Sequence, residues 1–238
     1  MLKDYSSESV AFKLYGQLGD SLQKAEKKIE HMSNGQITLL AQESDGDYLA
    51  VIAVKPNTDP LLLDDVLKSF IKTFSAFIYA NEDISLQELA VQLLKISGKK
   101  LCTAESFTGG AVANAIVSVP GASEVFFEGL VCYNTLSKQQ RLGVLPQTVR
   151  EYSVVSKQVA FEMVKGLLSL ENCDVAVSTT GYASPTGDDK KPCGLCYIGV
   201  ATENKAQVVK YNFKGSREQI INQGKKAALF ALCKLLKG

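Results

Sequence analysis

Glu105, Ser106 and Thr108 are the residues whose types and spacing first suggest chemistry in this chain. They lie in the stretch KLCTAESFTGG, residues 100–110, where a buried-strand run through Leu101, Cys102, Thr103 and Ala104 meets a turn at Gly109 and Gly110. The small apolar segment AVANAIVSV follows as a helix. A strand-to-helix junction leaves backbone N–H groups unpaired at the start of the helix, where an anion or a developing oxyanion can use them. A serine at that mouth can serve as a nucleophile if a neighbour removes its proton. Ser106 and Thr108 can equally do no more than cap the helix.

Other chemistries find less in the sequence. The single histidine, His31, falls on an N-terminal helix, so a Ser-His-Asp triad would have to recruit a distant residue. If Ser106 is a nucleophile, its base is expected to be a lysine. No cluster of carboxylates or cysteines has metal-ligand spacing, so neither a metal nor any other cofactor is expected. Cys193-Gly194-Leu195-Cys196 has C-x-x-C spacing, but that redox motif needs its cysteines at a helix N-terminus, and here the second falls in a strand. Gly16-Gln17-Leu18-Gly19 has the G-x-x-G spacing of a KH nucleic-acid loop. It carries no Lys or Arg and Asp20 follows it, so a plain turn is expected and no nucleic-acid partner.

The elements that must position these residues fall into two groups. Residues 1–83 read as a small α+β unit, with strands over Val10 to Tyr15, Gln36 to Ala41 and Tyr48 to Val54, the last two flanking the turn SDGD. Helices are expected over Asp20 to Met32 and Leu61 to Phe74, and a last short strand over Ala76 to Ala80. Residues 84–238 open on the capping box Ser85-Leu86-Gln87-Glu88, which starts the helix LQELAVQLLKIS. Beyond the strand and helix around Ser106, a strand is expected through Phe127 to Tyr133, a polar helical turn around Lys138, a helix over Ser156 to Leu170 and a strand over Asp174 to Thr180. Gly194 to Thr202 and Ala206 to Phe213 are separated by three residues only, which permits a hairpin and excludes a crossover, so the sheet must be mixed. Glu218 to Lys237 closes the chain as a helix, and the unit is a layered α/β domain.

Composition agrees with a folded protein of ordinary charge. Over 238 residues, 46% are hydrophobic, and 26 Lys and Arg balance 25 Asp and Glu. That balance points to no nucleic-acid or membrane-surface partner. There is no signal-peptide pattern and no apolar run long enough to span a bilayer, so a cytoplasmic protein is expected. Six cysteines scattered through a core of this size fit reduced thiols.

Taken together, the motifs of residues 85–238 resemble the CinA C-terminal domain family. The family's A-E-S-x-T-G-G stands at Ala104 to Gly110, and its V-P-G-A-S at Val119 to Ser123. Its tyrosine-to-lysine segment stands at Tyr133-Asn134-Thr135-Leu136-Ser137-Lys138, its V-S at Val155-Ser156 and its T-G at Thr180-Gly181. Its K-P-x-G stands at Lys191-Pro192-Cys193-Gly194 and its F-x-G-x-R at Phe213 to Arg217. Residues 1–83 resemble the KH-like segment that precedes this domain in full-length CinA proteins. Two departures stand out. Tyr133-Asn134-Thr135 replaces the usual Tyr-Ser-Asn, and the loop usually written G-I-A-G-P-x-G-G reads Gly181-Tyr182-Ala183-Ser184-Pro185-Thr186-Gly187-Asp188.

The resemblance implies a three-layer α/β/α domain with a mixed sheet behind a small α+β KH-like domain. It further implies a nicotinamide-nucleotide amidase that converts nicotinamide mononucleotide to nicotinate mononucleotide and ammonia without a metal, as a homo-oligomer with a dimer favoured. The other reading is a catalytically weakened nucleotide-binding or regulatory protein that keeps the pocket. For the enzyme, Ser106 is the nucleophile and Lys138 its base, with a pKa that must fall well below that of a free lysine. Tyr133 is a proton relay or ring-stacking partner, Glu105 organises the site or aids water, and N–H groups near Thr108, Gly109 and Gly110 form the oxyanion hole. A competing assignment makes Ser106 a phosphate ligand and another hydroxyl the nucleophile. Thr180 and Gly181 line the substrate site. Arg217, where a strand ends and the last helix opens, anchors the 5′-phosphate, unless it is a surface arginine paired with Glu218.

Overall fold

The computed structural model describes residues 9–44, 46–185 and 192–238. Asp45, Lys191 and the loop residues Thr186, Gly187 and Asp188 therefore lie outside the described residues. The chain divides into two compact units, Met1–Ser85 and Leu86–Gly238. Among the described residues no helix is long and apolar enough to cross a membrane.

The first unit runs β1 (Val10–Tyr15), α1 (Ser21–Met32), β2 (Ile37–Ser44), β3 (Asp47–Val54), α2 (Pro60–Phe74) and β4 (Ile78–Ala80). Its four strands form an antiparallel sheet in the order β2-β3-β1-β4. Alternation along β1 buries Phe12 and Leu14, which join Ile29 of α1 and Val66, Phe70 and Phe74 of α2 in one core. Proline at the first turn and the Asp59 carboxylate, which accepts from the Leu61 N–H at 3.0 Å, fix where α2 begins. Gly16 has φ 144°, and a Cβ there would meet the Phe77 ring at 2.7 Å, while Gly19 has φ 50°. Both glycines of the G-x-x-G stretch are thus accounted for by the turn between β1 and α1.

The second unit runs α3 (Leu86–Ser97), β5 (Leu101–Glu105), α4 (Ala111–Val117), a single 3₁₀ turn (Ala122–Glu124), β6 (Phe126–Val131), α5 (Thr135–Leu142), α6 (Pro146–Tyr152), α7 (Lys157–Leu168), β7 (Val175–Gly181), β8 (Leu195–Thr202), β9 (Lys205–Asn212) and α8 (Arg217–Lys237). The sheet order is β6-β5-β7-β8-β9. β5 is parallel to both β6 and β7, and the β7-β8-β9 pairings are antiparallel, so the sheet is mixed. α3, α4 and α8 cover one face and α7, flanked by α5 and α6, covers the other. Central β5 and β7 are buried almost throughout, as strands covered on both faces must be.

Three elements depart from the sequence expectation, among them α6, for which no helix was expected. The polar turn around Lys138 is a full helix, α5, opened by the Asn134 side chain, which accepts from the Leu136 N–H at 2.8 Å, and closed by Gly143 at φ 66°. The strand expected to reach Tyr133 ends at Val131, and the two residues released from it serve the site described next.

Candidate active site

The junction between β5 and α4 is built around a buried carboxylate. Gly109 and Gly110, at φ 61° and 98°, let the chain reverse into the helix within a few residues of the strand. Glu105 is fully buried, and its carboxylate accepts from the N–H groups of Gly110 (3.0 Å), Val112 (3.0 Å) and Ala113 (2.8 Å). These are the amides that a helix start leaves without partners, and a negative charge there also meets the positive end of the helix dipole. Both Glu105 oxygens are therefore committed to the backbone, which fits the role of organising the site and not that of activating water. The same contacts correct the oxyanion hole expected from the sequence. Gly110 N–H is taken by Glu105, and Gly109 N–H donates to the Ser106 carbonyl at 3.1 Å. Among the described residues, the N–H groups of Phe107 and Thr108 have no hydrogen-bond partner.

Ser106 is fixed by its neighbours in β7. Its N–H donates to the Thr179 carbonyl at 3.0 Å, while the Thr179 and Thr108 hydroxyls pair at 2.6 Å. The Thr108 hydroxyl is thus buried against the sheet and lies outside the cleft lining.

Lys138 reaches Ser106 from the other face of the junction. Its side chain is almost wholly buried, with 1% of the residue exposed, and Nζ lies 2.9 Å from Ser106 Oγ. Nζ also donates to the carbonyls of Cys132 (2.7 Å) and Tyr133 (3.2 Å), the two residues that follow β6. The early end of β6 is what turns those carbonyls toward the amine. Burial disfavours the ammonium and pushes the Lys138 pKa down to about 8, against a small opposing effect of Cys132. In its neutral form the amine has two N–H donors for the two carbonyls and one lone pair for the Ser106 hydroxyl. Protonation adds the third N–H, which then donates to Ser106 Oγ.

A cleft of about 180 Å³ opens over this pair, lined among others by Phe107, Tyr133, Val155, Gly181 and Tyr182. One wall is the turn before α7. Ser153 there adopts φ 72° and ψ 158°, a region that side chains rarely enter, and is held by its N–H bond to the Val149 carbonyl (3.0 Å) and by a contact of 3.2 Å between its hydroxyl and that of Tyr182. The Thr180 hydroxyl donates to the Val154 carbonyl at 2.9 Å, so Thr180 braces the wall, and Gly181 lines the cleft next to it. A Cβ at Gly181 would meet Cys196 Sγ at 2.5 Å, so β7 and β8 need glycine there.

Arg217 stands at the mouth of the cleft. Its Nη2 donates to the Tyr133 hydroxyl at 2.9 Å and its Nη1 to Ser184 Oγ at 3.0 Å. Among the described residues it forms no ion pair, with Glu218 or any other acid. The helix start beside it is closed by a capping box: Ser216 Oγ accepts from the Gln219 N–H, and the Gln219 side chain accepts from the Ser216 N–H. At this position the guanidinium, rather than the helix amides, is what is offered to a ligand. Tyr133 gives its hydroxyl to Arg217 and its carbonyl to Lys138, and among the described residues no hydrogen bond joins its hydroxyl to Ser106 or Lys138. That geometry favours a role at the cleft rim over a proton relay.

The structure thus brings Ser106, Lys138, Tyr133, Thr180, Gly181 and Arg217 to one cleft and places Glu105 and Thr108 beneath it. Sequence reasoning missed Phe107, the Val154–Val155 wall and the rim contact of Ser184. Among the described residues, no group of three or more His, Cys, Asp and Glu could hold a metal ion.

Comparison with known proteins supplies the family context. Residues 83–236 match the family model described as the CinA C-terminal domain. A CinA-like protein from Kosmotoga olearia is 36% identical over 230 residues, which span 94% of this chain and 54% of that protein. The chain spans about half the length of the curated relatives it matches. The competence/damage inducible protein CihA from Agrobacterium tumefaciens, a solved structure, is similar with a TM-score of 0.61 and 30% identity, covering 66% of this chain and 100% of that one. The competence damage-inducible protein A from Klebsiella pneumoniae has the same TM-score, 0.61, at 28% identity, covering 65% of this chain and 98% of its own.

Proposed function

Because the chain belongs to the CinA C-terminal domain family, we propose that it is an amidohydrolase that cleaves the carboxamide of nicotinamide mononucleotide to nicotinate mononucleotide and ammonia. The observation that carries this reading is the buried Ser106–Lys138 pair, 2.9 Å apart, with the lysine pKa lowered to about 8. An amide is a poor electrophile, and a hydroxyl attacks it only when a neighbour takes its proton as the bond forms. Ser106 Oγ adds to the carboxamide carbon and its proton passes to Lys138 Nζ. The N–H of Phe107, the residue directly after the nucleophile and one that lines the cleft, is the available donor to the oxyanion. Lys138 then returns the proton to the departing nitrogen, so ammonia leaves and an ester joins the acyl group to Ser106. Water attacks the ester, Lys138 takes its proton and gives it back to Ser106 Oγ, and the carboxylate product is released.

The remaining residues bind the substrate. The pyridine end faces the Phe107 and Val155 walls, and the 5′-phosphate meets Arg217, whose charge is unpaired among the described residues. The test is ammonia release from nicotinamide mononucleotide, with and without chelator. Turnover at an unchanged rate supports the amidase. Binding of the mononucleotide with no ammonia released would make the chain a nucleotide-binding or regulatory member of the family.

A further inference from the structure

Three polar groups meet at the mouth of the cleft, and their donor directions do not cancel. Arg217 donates through Nη1 to Ser184 Oγ at 3.0 Å and through Nη2 to the Tyr133 hydroxyl at 2.9 Å. Each hydroxyl is the acceptor in its bond, so each keeps its own proton to give elsewhere. Among the described residues no carboxylate pairs with the guanidinium. Among the described residues the mouth therefore carries one positive charge and two further O–H donors with no anion. Tyr133 and Arg217 line the same cleft of about 180 Å³ as Ser106 and Lys138. A nucleotide whose base end reaches Ser106 can therefore present its polar end to Arg217.

We propose that Ser184 is a specificity-determining residue: together with Tyr133 it holds the Arg217 guanidinium across the cleft mouth as a three-point site for a phosphomonoester, so that the nucleotide is selected over its nucleoside. The proposal rests on the amidohydrolase reading for the identity of the substrate, and on the mouth geometry for the phosphate. The Ser184 hydroxyl is what receives Nη1, and a residue without a hydroxyl there would leave that contact unmade. With serine, the guanidinium is fixed at both terminal nitrogens before the ligand arrives, and less of its side-chain freedom is lost on binding. A phosphate dianion is complementary to the charge and to all three donors. A neutral 5′-hydroxyl offers them a single oxygen and no charge.

Binding to the full chain separates these effects from turnover. With Ser106→Ala as background, calorimetry measures Kd for nicotinamide mononucleotide and for nicotinamide riboside, with and without Ser184→Ala. Removing one hydrogen bond of the site should raise Kd for the mononucleotide by about three- to tenfold and leave the riboside within about twofold. Ser184→Thr, which keeps a hydroxyl, should restore most of the loss. With Ser106 intact, the loss in Ser184→Ala should fall on KM for the mononucleotide and not on kcat. Equal losses on both ligands, no loss on either, or failure of both to bind at all would overturn the proposal. Tight binding of the mononucleotide that depends on Ser184, with no ammonia released by the protein that keeps Ser106, would refute the amidase reading and leave the phosphate site standing.

Discussion

Lys138 Nζ stands 2.9 Å from Ser106 Oγ, and among the described residues it is held there by carbonyls, not by a carboxylate. An acid beside the amine would favour the ammonium and keep the lysine charged at neutral pH. The Cys132 and Tyr133 carbonyls accept from either protonation state, so burial alone is left to lower the pKa, and the amine can alternate between accepting and donating a proton without moving.

The pH dependence of activity follows from that arrangement. With the Lys138 pKa at about 8, only a minor fraction of the amine is neutral at pH 7. A profile of kcat/KM against pH should therefore rise with an apparent pKa of about 8 and level off above it. A profile flat across that value would remove Lys138 from the role of base.

Stability should respond to the same group. The unfolded chain keeps the lysine proton up to about 10.5, whereas the folded chain releases it at about 8, so the unfolded state binds more protons between the two values. The contribution of Lys138 is complete above about 10.5 and is lost as pH falls through about 8. Denaturant titrations of wild type and Lys138→Met should thus show the difference between them moving in favour of wild type, by roughly 3 kcal/mol, as pH rises across that window. A difference independent of pH would mean that the lysine is not held in a perturbed state.

Glu105 should behave as a structural anchor of the junction. Glu105→Gln keeps the size but replaces one accepting oxygen with a donor that faces backbone N–H, and should lower the unfolding free energy by about 1–3 kcal/mol. Residual ammonia release should keep its rising limb near pH 8, because Lys138 sets it. Loss of that limb while stability is retained would assign Glu105 to the proton chemistry.

Gly224 links the last helix to the site. A Cβ there would lie 2.4 Å from the Phe107 ring, and Phe107 is itself buried beside Ser106. Gly224→Ala must displace either the ring or the helix, with an overpacking cost of about 1–3 kcal/mol in a thermal or denaturant melt. Ammonia release should fall along with it, since the displaced residue follows the nucleophile. Wild-type kinetics in this variant would show that the position of Phe107 does not matter to the reaction.

The first unit should not bind single-stranded RNA. Non-specific binding relies on Lys and Arg against phosphates, and the groove beside Gly19 is lined by Glu26 and Glu43 as well as by apolar side chains. A fluorescence-anisotropy titration at low salt should show no binding at micromolar protein. Binding that is lost when Gly16 and Gly19 are changed to Asp would contradict this.

Much of this architecture is legible in the sequence, for reasons that differ by element. The β8-β9 hairpin and the mixed sheet follow from a link too short to hold a crossover, three residues in the sequence reading and two, Glu203 and Asn204, in the structure. β1 is marked by the alternation of Phe12, Lys13 and Leu14, and the start of α7 by Ser156, whose hydroxyl accepts from the Val159 N–H at 3.2 Å. α6 escaped because its seven residues carry little periodicity, although Pro146 at its first turn was a usable signal. At the site, the motifs pointed to Ser106, Lys138 and Arg217, and position in a motif could not say which backbone amides remain unused. That depends on where the Glu105 carboxylate points. The premature end of β6 and the reach of Ser184 to Arg217 are long-range contacts, which local pattern does not encode.

The central claim is that Ser106 carries the acyl group, and rapid-quench mass spectrometry tests it most directly. When wild-type protein is mixed with nicotinamide mononucleotide and quenched in acid within the first turnover, a nicotinate-mononucleotide acyl adduct should be found on the peptide containing Ser106. Ser106→Ala should form no adduct and lose more than about a hundredfold in ammonia release. An adduct on a different hydroxyl, or a Ser106→Ala protein that keeps more than about a tenth of wild-type kcat, would contradict the account.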